Sequence, residues 1–330
     1  MMRPRTARFL GYAVVACLPL ALAAQQAPVA AAPSPEDAAP TLRVTTRTVE
    51  IATVVRDKAG EPQNALTKED FTLKVDGREQ PIQHFTVASD LPLTLALLVD
   101  VSGSQRTFIS DEWRASDIFF QSMLTRPQDR ATLVQINARI RILANLTSDP
   151  GRLHLALTQL GASPSTANAT RLNDAVYLLA KDLLAKERGR KALVLLTDGG
   201  DNGSKFKLEQ AIEQAQRANI SVYAIDYSAW TGPDMMLNSA VSRFSFPQND
   251  PGEALLKKLA ESTGGHVYTV SHSMSLQRIY EQIATDLRTE YEVGYNPPPD
   301  LKPNSFHKLE IRVRDKRLSV QARNGFYVQP

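Results

Sequence analysis

The stretch Leu93–Ser104, LTLALLVDVSGS, decides the fold. Apart from Thr94, residues 93–99 are apolar and lack the alternation of a half-exposed strand. Such a run predicts a strand buried on both faces, as in a parallel sheet covered by helices. It runs into Asp100-Val101-Ser102-Gly103-Ser104, three oxygen-bearing side chains on one tight turn, with Gly103 permitting the turn. Ligands of open α/β sheets bind just beyond the carboxyl ends of the strands. Oxygen donors without His or Cys suit a hard cation such as Mg²⁺ or Ca²⁺.

Outward from this strand, apolar runs alternate with amphipathic stretches. Trp113 to Leu124 has helical period, and Ala131 to Ile136 with Ile140 to Leu146 reads as a strand pair. Arg152 to Leu160 and Leu172 to Lys186 are helical in pattern, and Lys191 to Leu196 is a second buried strand. A helix over Leu208 to Ala218 and a strand over Ile220 to Ile225 follow. Next come a helix over Glu253 to Glu261 stopped by Gly264-Gly265, a strand over His266 to Val270, and a helix over Leu276 to Arg288. This order predicts an α/β fold with a doubly wound, mainly parallel sheet.

The flanks read as β structure. Thr41 to Val87 holds β-branched runs and turn signals at Asp57 to Gly60 and Asp76-Gly77, and Thr67 to Asp70 can open one short helical turn. Strands at Tyr291 to Tyr295, Phe306 to Val313 and Leu318 to Ala322 surround a Pro-rich loop. Neither flank is large enough to bury a core alone, so the two are expected to pack together as a small β-sandwich into which the α/β domain is inserted. The expected division is 1–24, 25–40, 41–90, 91–289 and 290–330.

Residues 1–24 carry Arg3, Arg5 and Arg8 ahead of a nearly uninterrupted apolar run from Phe9 to Ala24. This is the layout of a secretory signal peptide, and the run falls short of the roughly 20 residues that span a bilayer. Residues 25–40, rich in Ala and Pro, read as a tether. The net charge of +3 equals the contribution of the three leader arginines, so the mature chain is near neutral and offers nucleic acid no electrostatic support. The single cysteine, Cys17, lies in the leader; an apolar run continues past it, which argues against lipoprotein processing. Export to the periplasm, the envelope or the medium is expected, with no disulfide.

Two further stretches complete a site. Leu193–Asp201, LVLLTDGGD, again ends an apolar strand in an acid, Asp198, followed by glycines. In a parallel sheet its end lies on the same edge as Asp100. Ala169–Ala175, ATRLNDA, puts the Thr170 hydroxyl at the start of a helix. Taken singly, Thr170 reads as a helix cap, and Asp198 reads equally as a turn residue before Gly199-Gly200. Taken together, Asp100, Ser102, Ser104, Thr170 and Asp198 resemble the metal-ion-dependent adhesion site of von Willebrand factor A domains, in order and in spacing. The resemblance covers about residues 91–288. Leu66–Phe71, LTKEDF, and Tyr291–Tyr295, YEVGY, resemble a bacterial subgroup of exported proteins with this domain.

The resemblance implies one divalent metal, Mg²⁺ or else Mn²⁺ or Ca²⁺, held by those five residues and open to a carboxylate from an Asp or Glu of a protein partner. It implies adhesion or scaffolding rather than catalysis. Trp230, Met235, Met236, Phe244 and Phe246, in and beside an irregular stretch over 232–251, are candidates for the rim of the partner site or for core cover. Asp201 reads as a solvated loop acid. Two alternatives remain open: a structural module whose metal only staples loops or which binds none, and a metal-dependent hydrolase using Asp100. No zinc spacing among the five histidines, phosphate-binding Gly-rich loop or Gly-x-Ser-x-Gly elbow supports the last.

Overall fold

The computed structural model describes residues 48–87, 91–102, 109–162, 169–228 and 250–329. Strands β1 (Val49–Arg56), β2 (Phe71–Val75), β3 (Arg78–Gln80) and β4 (His84–Val87) come first. The α/β part runs β5 (Leu93–Asp100), α1 (Ile109–Met123), β6 (Arg130–Ile136), β7 (Ile140–Thr147), α2 (Pro150–Leu157), α3 (Leu172–Leu178), β8 (Arg190–Thr197), α4 (Leu208–Arg217), β9 (Ser221–Asp226), α5 (Pro251–Thr263), β10 (Val267–Thr269) and α6 (Leu276–Thr289). It is followed by β11 (Tyr291–Tyr295), β12 (Phe306–Val313), β13 (Ser319–Ala322) and β14 (Gly325–Tyr327).

The central sheet has the order β10-β9-β8-β5-β6-β7. All pairings are parallel except that of β6 with the edge strand β7. Every residue of β5 is buried. Leu95, Leu97 and Val99 join the core under α1, α2 and α6; Ala96 and Leu98 join the core under α3, α4 and α5. The unbroken apolar run is thus the alternation of a pleated strand with helices on both faces. Asp250 caps α5, its carboxylate accepting from the Gly252 N–H, and Gly264 ends that helix at φ +85°.

The expected single helix over Leu172 to Lys186 is interrupted. α3 gives way to a wide π-helical turn at Leu179–Leu183 and a 3₁₀ turn at Leu184–Lys186. The wider turn places Leu184, rather than Leu183, fully inside. β14 is a strand that the sequence did not announce.

The flanking strands form two antiparallel sheets, β13-β1-β11-β4 and β14-β12-β2-β3. β1 pairs with β11, and β2 with β12, so residues before and after the α/β part share both sheets. Ile51, Leu73, Tyr291, Val293, Leu309 and Phe326 fill the space between them. Asp76 and Gly77, both at positive φ, make the tight β2–β3 turn. No helix among the described residues is long and apolar enough to cross a membrane.

Glu290 is the one residue between α6 and β11. It is buried 3.9 Å from Arg190, whose guanidinium also donates to the Leu91 and Leu287 carbonyls. Burial pushes the Glu290 carboxyl up to about 8, with Arg190 opposing. The folded chain therefore keeps a proton that the unfolded chain releases above about pH 4.5. This contribution to stability is complete at acid pH and is lost as pH rises from there towards about 8. Glu290→Gln is expected to flatten the fall. Urea midpoints measured at about pH 5 and about pH 8 check it, and an unchanged pH slope would count against it.

Candidate metal centre

Asp100 ends β5 and is completely buried. Its Oδ1 accepts the Ser102 N–H at 2.9 Å, which bends the chain directly after the strand. Its Oδ2 accepts the hydroxyl of Thr197 at 2.9 Å. Thr197 ends β8, the strand beside β5, and its oxygen also accepts the Gly199 N–H at 3.1 Å. One threonine thus ties the Asp100 turn to the loop that carries Asp198. The Asp198 Oδ1 accepts the Gly200 N–H at 3.0 Å and shapes that loop.

Burial pushes the Asp100 carboxyl up to about 6, and the negative charge of Asp198 adds to the shift. The N–H and hydroxyl donors of Ser102 and Thr197 work the other way. Ionised, Asp100 is a buried carboxylate facing a second one, which is costly without a cation nearby.

Thr170 is buried and sits just before α3. Its N–H donates to the Asn202 Oδ1 at 2.7 Å, and its carbonyl accepts from the Asn202 and Gly203 amides at 3.2 and 3.1 Å. The Arg171 N–H donates to the Asn137 carbonyl, one residue past β6, at 3.2 Å. The Thr170 segment is therefore held between the loops that follow β6 and β8, the two neighbours of β5. Thr170 is not a helix cap: Arg171 occupies that position.

Asp100, Ser102 and Asp198 thus stand at one sheet edge, with Thr170 fixed to the Asp198 loop through Asn202. Ser104 lies outside the described residues, as do Trp230, Met235, Met236, Phe244 and Phe246. Asp201 is not a solvated loop acid. One of its oxygens accepts from the Asn173 side chain, and the other is buried without a hydrogen-bond partner. The neighbouring Asp174 accepts the Lys205 and Phe206 N–H groups at 2.7 and 2.8 Å, so α3 grips the same loop twice. Thr197, Asn202 and Asn173 are supporting residues that pattern reading missed. Thr197 carried a signal, as the lone polar residue ending an apolar strand. The roles of Asn202 and Asn173 depend on contacts far apart in sequence.

Among the described residues no group of three or more His, Cys, Asp or Glu could hold a metal. A cation here would draw on few carboxylates and mainly on hydroxyls and water. The donor set fits a hard divalent ion, and the buried Asp100 beside Asp198 supplies the negative charge.

The loop carrying Asp198 also depends on a close backbone approach. Gly199 has φ +79°, and a Cβ on it would stand 2.5 Å from the Gly252 carbonyl oxygen at the start of α5.

The family model for the von Willebrand factor type A domain matches residues 94–282. No curated protein is a significant match. Among solved structures, proximal thread matrix protein 1 from the mussel byssus, with a zinc-occupied MIDAS motif, is 18% identical, with a TM-score of 0.47 over 65% of this chain and 50% of that one. BatB from Bacteroides thetaiotaomicron is 16% identical, with a TM-score of 0.43 over 59% of this chain and 98% of that one. The vWF domain of the type V pili tip protein Mfa5 from Porphyromonas gingivalis is 13% identical, with a TM-score of 0.43 over 59% and 94%. The chain spans about half the length of the mussel protein.

Proposed function

This chain belongs to the von Willebrand factor type A domain family, and from that premise we propose that it is an exported, non-catalytic binding protein that grips an acidic group of a protein partner through one divalent cation. The observation that carries the reading is Asp100: a completely buried carboxylate, oriented by Thr197 and acted on by the negative charge of Asp198. A group so placed is costly to the fold alone and useful beside a cation.

Asp100, Ser102, Ser104, Thr170 and Asp198 would hold the ion, with Mg²⁺ the first candidate and Mn²⁺ or Ca²⁺ the others. Bound there, the cation supplies a Lewis-acidic position for a carboxylate oxygen of the partner. Around it, Trp230, Met235, Met236, Phe244 and Phe246 would give an apolar rim. Residues 1–24 would direct export, 25–40 would tether the protein, and residues 41–90 and 290–330 would together form the base under the binding domain, 91–289. The near-neutral mature chain suits a protein partner rather than nucleic acid.

The test is capture from an envelope extract of the source cell. In Mg²⁺ the immobilised protein is expected to retain a partner that a chelator releases and renewed Mg²⁺ recaptures. Retention unchanged by the chelator would overturn the reading.

A further inference from the structure

At the other end of β8 from Asp198, a cleft of about 440 Å³ opens where the sandwich meets the α/β part. Its volume lies in the range of small-molecule sites, about 300–1,000 Å³. The turn into β8 contributes Arg188, the start of β8 itself Lys191, the end of α4 Arg217, and the chain between β13 and β14 Arg323. Phe326 and Tyr327 also line it. Against these four cations the lining holds a single carboxylate, the exposed Glu50.

Three of the cations have no counter-ion in contact. Arg188, Lys191 and Arg323 make no ion pair among the described residues, whereas Arg217 pairs with Glu213 at 2.8 Å and lies 4.3 Å over the Tyr327 ring. Arg323 is only 8% exposed. Its Nη1 donates to the Gln216 carbonyl at 2.9 Å and its Nη2 to the Glu50 carbonyl at 2.7 Å, while its Nε has no partner. Two main-chain oxygens therefore fix the guanidinium, and no carboxylate neutralises it in contact. Glu292, half-buried beside Glu50, also acts on Arg323 and Lys191, and Glu187 acts on Lys191. Burial and the neighbouring Glu50 push the Glu292 carboxyl upward.

We propose that this cleft binds a small organic dianion, with Arg188, Lys191 and Arg323 facing its charge. A phosphate monoester is the compact form of such a ligand, carrying about −1.5 to −2 at neutral pH; a dicarboxylate carries the same charge spread over two ends. Partly desolvated guanidinium and ammonium groups form their strongest hydrogen bonds with such oxyanions. The site is separate from the Asp100 edge, and the proposal does not rest on the metal reading.

Calorimetric titration of the full chain tests it, with chelator present so that no divalent ion offers the anion another seat. The probes are phenyl phosphate and succinate. Saturable one-to-one binding of either is expected, and the tighter of the two identifies the ligand class. Arg188→Gln combined with Lys191→Gln is expected to weaken it at least about tenfold, because two of the three unpaired charges are gone. Arg188 is exposed and Lys191 half-buried, so thermal melting of the double variant is measured beside the titration to establish that it is folded. Absence of binding for both probes up to about 10 mM, a free energy of only about −3 kcal/mol, would overturn the proposal. So would equal affinity in a folded double variant.

Discussion

Replacing Asp100 with Asn is expected to lower divalent-cation affinity by about 100-fold or more while leaving the fold intact. Loss of even an outer-sphere partner commonly costs a metal site about 10–100-fold, and Asp100 is here a carboxylate at the centre of the site. The amide keeps an oxygen for the Ser102 N–H and can still meet the Thr197 hydroxyl, so the local turn survives. It also removes a buried charge that faces Asp198. Without metal the variant should therefore be at least as stable as the parent. Thermal melting with and without Mg²⁺ reads both effects. The parent should gain melting temperature on adding the ion, because a ligand bound only to the folded state stabilises it. The variant should not. An equal gain in both would remove Asp100 from the site.

Gly199→Ala should have the largest effect of any single methyl added near the site. Gly199 sits at φ +79°, where a side chain costs about 1–2 kcal/mol. Its new Cβ would also stand 2.5 Å from the Gly252 carbonyl oxygen, a backbone atom anchored at the start of α5. Overpacking of that kind adds about 1–3 kcal/mol. The expected sum is a loss of about 2–5 kcal/mol, read as a lower denaturant midpoint with an unchanged slope. Gly199 follows Asp198 and donates to Thr197, so any shift that relieves the clash moves the acid and its neighbour together. Metal affinity should fall with stability. A variant with the parent's midpoint would show that the approach of these two backbones is not needed.

Much of this architecture was legible in the chain because burial on both faces leaves a plain trace. Residues 93–99 and 191–196 are runs of apolar side chains with one polar or charged exception each, and both became central strands. The acids at their ends pointed to the site because parallel strands share an edge. The stop at Gly264 likewise acts locally, within one turn of its helix. What escaped reading depends on partners distant in sequence. Asp201 looked like a loop acid among glycines, and only the packing of α3 against that loop brings Asn173 to it. The constraint on Gly199 comes from Gly252, far along the chain. The wide turn at Leu179–Leu183 is set by which leucine the core accepts, a matter of fit that a 3.6-residue pattern cannot specify. β14 is too short to show a period and forms because β12 offers its edge.

The sharing of labour at the site follows from the same topology. β5 and β8 supply the acids, since their ends are adjacent and rigid. The Thr170 segment comes from outside the sheet and needs Asn202 and Asn137 to hold it in place. Side chains on strand ends are positioned by the ladder itself, whereas a loop hydroxyl requires dedicated partners.

Counting bound Mn²⁺ directly, by the electron paramagnetic resonance of the free ion during titration, tests the shared-ion picture most directly. One ion per chain should disappear from solution, and Thr170→Ala and Asp198→Ala should each release it. No uptake by the parent, or uptake of the same tightness in both variants, would contradict a site assembled from these separate stretches.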